Sequence, residues 1–177
     1  MKELLFVYST TDGHTRRICE RLARVVQAQG RAARVMALPD CAASDIEACG
    51  AIVVGASIRY GKHKPEVAAF VERHRAAIEA RPNAFFSVNV VARKAGKDVP
   101  EGNPYLQKFL RGITWKPQRL AVFAGRLDYP SLGTLDRLVI RFIMWMTKGP
   151  TDPRAVVEFT DWARVEDFAR SLAAHSA

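Results

Sequence analysis

The sequence predicts an α/β protein in which a parallel, doubly wound sheet of five strands is covered by helices on both faces. Short runs of continuous apolar residues alternate with segments whose apolar residues recur at helical spacing, which is the order typical of such sheets. The 177 residues suffice for one domain of ordinary size, spanning residues 1–177. With 49% hydrophobic and 25% charged residues, the composition predicts a sizeable core and excludes a disordered or low-complexity chain.

The first strand and the first helix lie at the amino-terminal end. Leu4–Tyr8 is a continuous apolar run and is followed by a short polar turn. Residues 18–26 then carry an apolar stripe at helical spacing, and Gly30 occupies the position of a C-terminal cap. These residues complete a first strand–helix unit.

Four further strands and their helices follow in the same order. Apolar runs predict strands at 32–38, 51–55, 84–91 and 120–124. Helical spacing predicts a short helix or turn at 40–49, one helix from Pro65 to Ile78, a short helix at 105–110, and a closing helix at 162–172. Thr160 or Asp161 is expected to cap the closing helix.

A long insertion, about residues 125–156, interrupts the fifth strand and carries its own apolar helix, Leu132–Lys148. Connections in α/β units usually have about 2 to 6 residues, so this length predicts a function. Apolar bulk combined with tryptophan and with Arg137, Arg141 and Lys148 favours an interfacial helix on an anionic membrane. The alternative is a helix buried against the domain or against a second copy in a homo-oligomer.

The charge balance and the scarce ligand residues narrow the classes of function. A net charge of +9 favours an acidic partner, yet no aromatic–basic motif accompanies it, so we expect no nucleic acid. Three cysteines without CxxC spacing and four scattered histidines predict neither a disulfide framework nor a metal site. Residues 1–8 do not resemble a secretory signal, and no apolar run could span a bilayer, so the expected location is cytoplasmic, peripheral on the inner face of the cell membrane.

A polar segment joins the first strand to the first helix, where open α/β sheets bind ligands. The segment is Ser9-Thr-Thr-Asp-Gly-His-Thr15. Its hydroxyls, its glycine and the free N–H groups of a helix start suit a phosphate. Neither GxxxxGK[ST] nor GxGxxG is present, which favours a phosphate monoester over a nucleoside triphosphate or a dinucleotide. The alternative is that Ser9, Thr11 and Asp12 only cap the helix.

Two further segments are predicted at the same edge of the sheet, and together the three outline a slot that resembles the flavodoxin-like fold. The two segments are residues 55–62 and 87–94. Three stretches then carry a more specific resemblance: Gly55-Ala-Ser-Ile-Arg-Tyr-Gly61, Phe86-Ser-Val-Asn-Val-Val-Ala-Arg-Lys94 and Phe159-Thr-Asp-Trp162. They are similar to the flavodoxin-like protoporphyrinogen oxidase family of bacterial haem synthesis. The resemblance covers nearly the whole chain, the insertion included.

The resemblance implies a site for flavin mononucleotide (FMN). The implied phosphate ligands are Ser9, Thr10, Thr11, Asp12, Gly13, His14 and Thr15. The implied flanks of the ring are Ala56, Ser57, Ile58, Arg59, Tyr60 and Gly61 on one side, and Ser87, Val88, Asn89, Val90, Ala92, Arg93 and Lys94 on the other. Arg59, Tyr60 and Arg93 are expected nearest to the chemistry. For Tyr60 the alternative is simple packing on its neighbours.

The resemblance also implies oxidation of protoporphyrinogen IX in three two-electron steps, with electrons passed through the flavin to menaquinone or ubiquinone. Basic residues near the slot are then expected to bind the propionates: Arg59, Lys62, Arg93, Lys94 and Lys97. The alternative for these residues is a solvated basic rim. Two other functions remain open, namely a flavodoxin-type electron carrier and an NAD(P)H:quinone reductase.

Overall fold

A computed structural model describes residues 2–175 of the chain, without the side chain of residue 175. Its strands are β1 Leu4–Ser9, β2 Ala33–Ala37, β3 Ala51–Arg59, β4 Lys62–His63, β5 Asn83–Asn89, β6 Arg119–Ala124, β7 Arg126–Asp128 and β8 Val156–Glu158. Its α-helices are α1 His14–Ala28, α2 Ala43–Ala48, α3 Pro65–Arg73, α4 Arg75–Glu79, α5 Pro104–Arg111, α6 Thr134–Met146 and α7 Trp162–His175. The predicted alternation of strands and helices is confirmed.

Five parallel strands form the sheet in the order β2-β1-β3-β5-β6. After β1 the chain adds β2 on one side of β1, and it then crosses back and adds β3, β5 and β6 on the other side. The direction in which strands are added therefore reverses between β1 and β3. Ligands of open α/β sheets bind at such a reversal, outside the carboxyl ends of the strands. The short β4 pairs antiparallel with the far end of β3 and folds the chain back over this edge.

Helices cover both faces of the sheet, and each face has its own core. On one face, β1 contributes Leu5 and Val7, which pack with residues of α2, α3, α4 and α5. On the other face, β1 contributes Leu4 and Phe6, which pack with α1 and α7. A strand apolar on both sides is what a doubly wound sheet requires.

Two local predictions are corrected. The single helix expected from Pro65 to Ile78 is broken at His74, whose backbone (φ −103, ψ 14) leaves the helical range and whose ring packs 4.9 Å from Phe70. The strand expected to reach Val91 ends at Asn89, because the Asn89 side chain accepts a hydrogen bond from the Ala92 N–H and caps a 3-10 turn.

A glycine ends α1 and an aspartate caps the start of α7, as the sequence predicts. Gly30 takes a left-handed conformation (φ 79) after α1, as the C-terminal cap requires. Of the two candidates before α7, Asp161 is the cap, since its carboxylate accepts the N–H groups of Ala163 and Arg164. The Thr160 hydroxyl instead donates to the Ala124 carbonyl at 2.7 Å.

The insertion leaves and rejoins the domain through an antiparallel ribbon of β7 and β8. Between these strands, α6 packs on a small core around Leu127, Tyr129 and Met144. The opposite face of α6 is exposed, with Leu135 and Trp145 exposed by 73% and 70%. Within the described residues, no helix combines the length and apolarity needed to cross a bilayer.

Candidate functional site

Three loops meet at the carboxyl edge of the sheet. Parallel pairing aligns Ser9 with Ala56 and Ser57 with Val88, so the ends of β1, β3 and β5 lie side by side. We call Ser9–Thr15 the first loop, Arg59–Gly61 the second loop and Val90–Lys94 the third loop. The structure thus brings together the three segments that the sequence singles out.

The first loop is a tight turn that its own side chains hold in shape. The Thr10 hydroxyl accepts the Gly13 N–H at 3.0 Å, and the Asp12 carboxylate accepts the His14 N–H at 3.1 Å. Gly13 has a φ of 85, a conformation that favours glycine. Thr10 and Asp12 therefore shape the turn. Of the three residues in the alternative reading as helix caps, only Asp12 has a side chain that binds an N–H group at the start of α1 within the described residues, and the N-cap itself is Gly13.

Two polar atoms of the first loop are buried and lack a protein partner among the described residues. They are the Thr15 hydroxyl oxygen and the Nδ1 atom of His14. The first turn of α1 contains no acidic residue, and the N–H groups of a first turn have no partner within the helix. Buried polar groups normally find partners, so the Thr15 hydroxyl and the free N–H groups of the first turn fit a bound anion such as a phosphate. Nδ1 of His14 is an acceptor in the neutral ring, because the Thr160 hydroxyl donates to the Ala124 carbonyl and so accepts from Nε2, and it does not donate to an anion.

The other ring nitrogen of His14 links the first loop to the start of α7. Nε2 lies 2.7 Å from the Thr160 hydroxyl, and the Trp162 ring packs against the imidazole at 6.1 Å between ring centres. Burial is the main cause that lowers the pKa of His14. Part of the Phe159–Trp162 segment thus supports the first loop from outside.

Lys64 is a residue that the sequence reasoning missed. Its ammonium group donates to the Thr10 carbonyl at 2.9 Å, so a positive charge lies beside the first loop. Lys64 directly precedes α3, and only the fold-back at β4 brings it to β1. No local pattern could have indicated this contact, because 54 positions separate the two residues.

The second loop is exposed and is held by the insertion. Tyr60 and Gly61 both have positive φ values, 50 and 74, and Tyr60 is 59% exposed. The Arg59 guanidinium and the Tyr60 hydroxyl both donate to the carboxylate of Asp136 on α6. The Arg59 guanidinium also lies 5.3 Å from the centre of the Tyr60 ring. Asp136 therefore ties α6 to a predicted flank of the site.

Beneath the third loop lies a buried polar network. The Ser87 hydroxyl is 3.0 Å from Nε2 of His63, and the Asn89 amide donates to the same hydroxyl at 3.2 Å. Asn103, which caps α5, donates to Asn89 at 3.1 Å. Burial lowers the pKa of His63 to about 4, so its imidazole is neutral near pH 7.

The predicted ring-flanking residues divide by where their side chains lie. Ala56, Val88 and Ala92 are buried in the two cores, so only their backbone atoms could face a ligand. Ser87 and Asn89 are occupied in the network below the third loop. The remaining predicted residues are half-buried or exposed: Ser57, Ile58, Arg59, Tyr60, Gly61, Val90, Arg93 and Lys94.

Arg93 connects the third loop to the end of the insertion. One guanidinium nitrogen donates to the Val90 carbonyl at 3.1 Å, and the other donates to the carbonyl and hydroxyl of Thr147 at 3.1 and 3.0 Å. Phe159 packs beside the guanidinium at 5.8 Å. The insertion thus contacts the site twice, at Arg59 and at Arg93.

Comparison with known proteins agrees with this architecture. Residues 5–154 match the family model described as Flavodoxin domain. The chain is similar to a flavodoxin from the domain Archaea, with a TM-score of 0.54, 14% identity and coverage of 98% of each chain. At that identity the likeness shows the fold alone, and it confirms the predicted flavodoxin-like sheet.

Two relatives are much closer in sequence. The chain is 42% identical to the protein named "Protoporphyrinogen IX dehydrogenase [quinone]" of Escherichia coli strain K12, over 96% of this chain and 93% of the relative. It is 40% identical to the protein of the same name from Leishmania major, over 96% of this chain and 74% of that relative. The resemblance stated from the sequence is confirmed.

Proposed function

The chain belongs to the Flavodoxin domain family, and from this premise we propose that it oxidises protoporphyrinogen IX to protoporphyrin IX and passes the electrons to a quinone. One observation carries the proposal: identity of 42% extends over 96% of the chain to a relative with that activity in its name. The insertion and the three loops all lie within the described part of this chain. The protein is therefore an oxidoreductase of flavodoxin architecture.

We further propose that the flavin is FMN and that the first loop holds its phosphate. The partnerless Thr15 hydroxyl and the first turn of α1 would donate to the phosphate oxygens, and Lys64 would add a positive charge nearby. The flavin, when bound, supplies the redox chemistry that no amino acid side chain provides. The remaining residues of Ser9–Thr15 would shape the turn around the phosphate.

The second and third loops would flank the ring. Tyr60, exposed beside the slot, is the candidate for ring contact, and the backbone of Arg59–Gly61 is the candidate for hydrogen bonds near the redox nitrogens. Asp136 would keep Arg59 and Tyr60 in position. Arg93 would stand at the opposite flank, where its half-buried guanidinium is held by carbonyl oxygens. In these roles the side chains would orient the ligands and exclude water from the ring.

The quinone and the membrane belong to the same proposal. Menaquinone and ubiquinone are poorly soluble in water, so an enzyme that reduces them benefits from contact with the bilayer. Five large apolar side chains of α6 are exposed: Leu135, Leu138, Phe142, Trp145 and Met146. The whole chain carries a net charge of +9. An exposed apolar surface on a cationic protein suits the anionic inner leaflet of the cell membrane. Assembly into a homo-oligomer through α6 is the competing explanation.

Anaerobic mixing of the FMN-loaded protein with protoporphyrinogen IX tests the function. We expect the visible absorbance of the flavin to bleach while the porphyrin fluorescence rises, and addition of a soluble quinone analogue to restore the yellow colour. Loss of bleaching in protein that retains its flavin would overturn the proposal. Rapid bleaching by NAD(P)H alone would instead favour a quinone reductase, and bleaching only by a partner protein would favour an electron carrier.

A further inference from the structure

We propose that a pocket between the third loop and the carboxyl end of α6 binds a carboxylate group of an amphiphilic ligand. The pocket has a volume of about 500 Å³. Its lining combines cationic, polar and apolar side chains: Arg93, Lys94, Met146, Thr147, Lys148 and Phe159. Half of these residues belong to the insertion, so the insertion completes the pocket.

Arg93 is fixed in place but still has hydrogen-bonding capacity. Its guanidinium donates three hydrogen bonds, one to the Val90 carbonyl and two to the carbonyl and hydroxyl of Thr147. A guanidinium carries five N–H donors in a planar fork, so two donors remain for a further acceptor. Carboxylates accept from such a fork with good geometry.

The positive charges of the pocket have no counter-ion among residues 2–174, whose side chains the structure describes. Among the ion pairs formed by the described residues, none includes Arg93, Lys94 or Lys148. Burial lowers the pKa of Arg93, which is what a half-buried cation without a carboxylate partner should show. Arg59, by contrast, is paired with Asp136 and is not available in the same way.

Lys148 adds an observation that does not depend on Arg93. Its backbone is in the left-handed range (φ 55), directly after the C-terminal cap of α6. Glycine is the residue usually found at this position because it adopts the conformation without steric cost. Here the glycine, Gly149, comes one residue later, and a lysine adopts the left-handed conformation that is unfavourable for it. From this position the Lys148 side chain lines the pocket.

The apolar part of the lining indicates what the carboxylate is attached to. Met146 and Phe159 offer a thioether and an aromatic face beside the three cations. A ligand with an apolar body and a carboxylate side chain would satisfy both kinds of surface. Resting on the proposed function, we identify this group as a propionate of the porphyrinogen, bound through Arg93, Lys94 and Lys148.

Binding of mesoporphyrin IX, an already oxidised porphyrin with two propionates, tests the pocket without any turnover. The FMN-loaded protein is titrated while tryptophan fluorescence is followed. Loss of one charge-assisted hydrogen bond should raise the Kd about tenfold in Arg93→Gln and in Lys148→Gln. Lys116→Gln is the matched control, since Lys116 is exposed before β6 at the opposite edge of the sheet.

The dimethyl ester of mesoporphyrin identifies the recognised group. We expect the ester to bind wild type about tenfold more weakly than the acid, and Arg93→Gln to cause no further loss. If the ester binds as tightly as the acid, or if both lysine and arginine variants bind the acid like wild type, the pocket does not recognise carboxylates and the inference is wrong.

Gly149→Ala tests the geometry without changing any charge. A methyl group at this position would lie 2.6 Å from the Met144 sulfur and 2.8 Å from a guanidinium nitrogen of Arg93, so Arg93 must move. Gly133→Ala, at the other end of α6, is the control because its added methyl meets no atom within 4 Å. Weaker mesoporphyrin binding in Gly149→Ala alone supports the pocket, and equal binding in both variants contradicts it.

Failure of the pocket and failure of the proposed function give different results. If porphyrinogen does not bleach the flavin but Arg93→Gln still weakens mesoporphyrin binding, the function is wrong and the pocket stands. If bleaching occurs and the variants bind normally, the pocket is wrong and the function stands. Loss of binding to phosphatidylglycerol vesicles in Arg93→Gln, without loss of porphyrin binding, would assign the pocket to a lipid phosphate and overturn the inference.

Discussion

The first loop and α6 depart from the usual rules of burial in opposite directions. In the first loop, polar atoms of His14 and Thr15 are buried without a hydrogen-bond partner in the described part of the chain. In α6, large apolar side chains such as Leu135 and Trp145 are exposed to solvent. Buried polar groups are normally paired, and contiguous apolar surface is normally covered. Each region therefore lacks the complement that its surface requires.

The two missing complements differ in kind. The first loop is a tight turn between a strand and a helix that its own hydrogen bonds hold, so we expect it to bind a compact anion. The exposed face of α6 has no comparable framework of directed hydrogen bonds, so it suits a fluid apolar phase. Specific cofactor binding and membrane contact are thus expected to lie in separate parts of the chain, joined by Arg59, Tyr60 and Asp136.

Removing the apolar face should have the largest effect. The triple variant Leu138→Ser, Phe142→Ser and Trp145→Ser should weaken binding to phosphatidylglycerol vesicles by about 4 kcal/mol, close to a thousandfold. Vesicle flotation measures this, with exposed Val99→Ser as the control outside α6. If the triple variant floats like wild type, α6 does not contact the membrane. If wild type is a dimer that the triple variant dissociates, the face joins two copies instead.

The second prediction concerns His63, a buried polar group that does have a partner, the Ser87 hydroxyl. Its burial should make the stability of the fold sensitive to acid. His63 has a pKa of about 4 in the folded protein, below the ordinary value of 6.5, so the unfolded chain binds the proton first. Its contribution to stability is complete above pH 6.5 and is lost as pH falls toward 4, by about 3 kcal/mol in all.

Urea unfolding at several values between pH 7.5 and pH 5 measures this loss. His63→Gln keeps a hydrogen-bonding group near Ser87 but cannot titrate, so its free energy of unfolding should fall less steeply with acid than that of wild type. Some slope should remain, because the pKa of His14 is also lowered by burial. Parallel curves for the two proteins would contradict the assignment.

Within the first loop, Thr15→Val should weaken FMN binding by about 2 kcal/mol, because it removes a hydroxyl that would bond a charged phosphate. Thr15→Ser retains the hydroxyl and should bind FMN close to wild type. Quenching of flavin fluorescence on titration of the apoprotein measures both values. If valine and serine bind FMN equally well, the buried hydroxyl is a packing feature and the first loop no longer contrasts with α6.

The link between the two regions should give the smallest effect. Asp136→Asn removes the charge that pairs with Arg59, a partly exposed contact for which about 1 kcal/mol is expected. Trypsin cleavage within residues 59–62 should become a few-fold faster, by about the same free energy. Asp152→Asn, an exposed carboxylate elsewhere in the insertion, is the control. Unchanged cleavage in both variants would mean that α6 does not hold the second loop.

The sequence predicts the architecture well where the information is local. Apolar runs located the sheet strands, and their order placed three polar segments at one edge, as the structure confirms. Helical spacing alone did not reveal the break at His74, because Val67, Phe70, Val71 and Ile78 keep the same face on both sides of it. Periodicity reports which face is buried and says little about a local change of backbone direction.

The contacts that complete the candidate site are not local, and sequence reasoning could not find them. Lys64 reaches Thr10 across 54 positions, and Asp136 reaches Arg59 across 77. The five basic residues expected to bind propionates looked equivalent in sequence, yet Arg59 is paired with a carboxylate whereas Arg93 is held by carbonyl oxygens. Only the packing of the insertion on the sheet distinguishes them.

The ribbon of β7 and β8 brings the two ends of the insertion together. Asp128 and Val156 are paired neighbours, so the chain departs and returns at nearly one point. A two-residue Asn-Gly turn joining them could replace everything in between and leave the parent sheet intact.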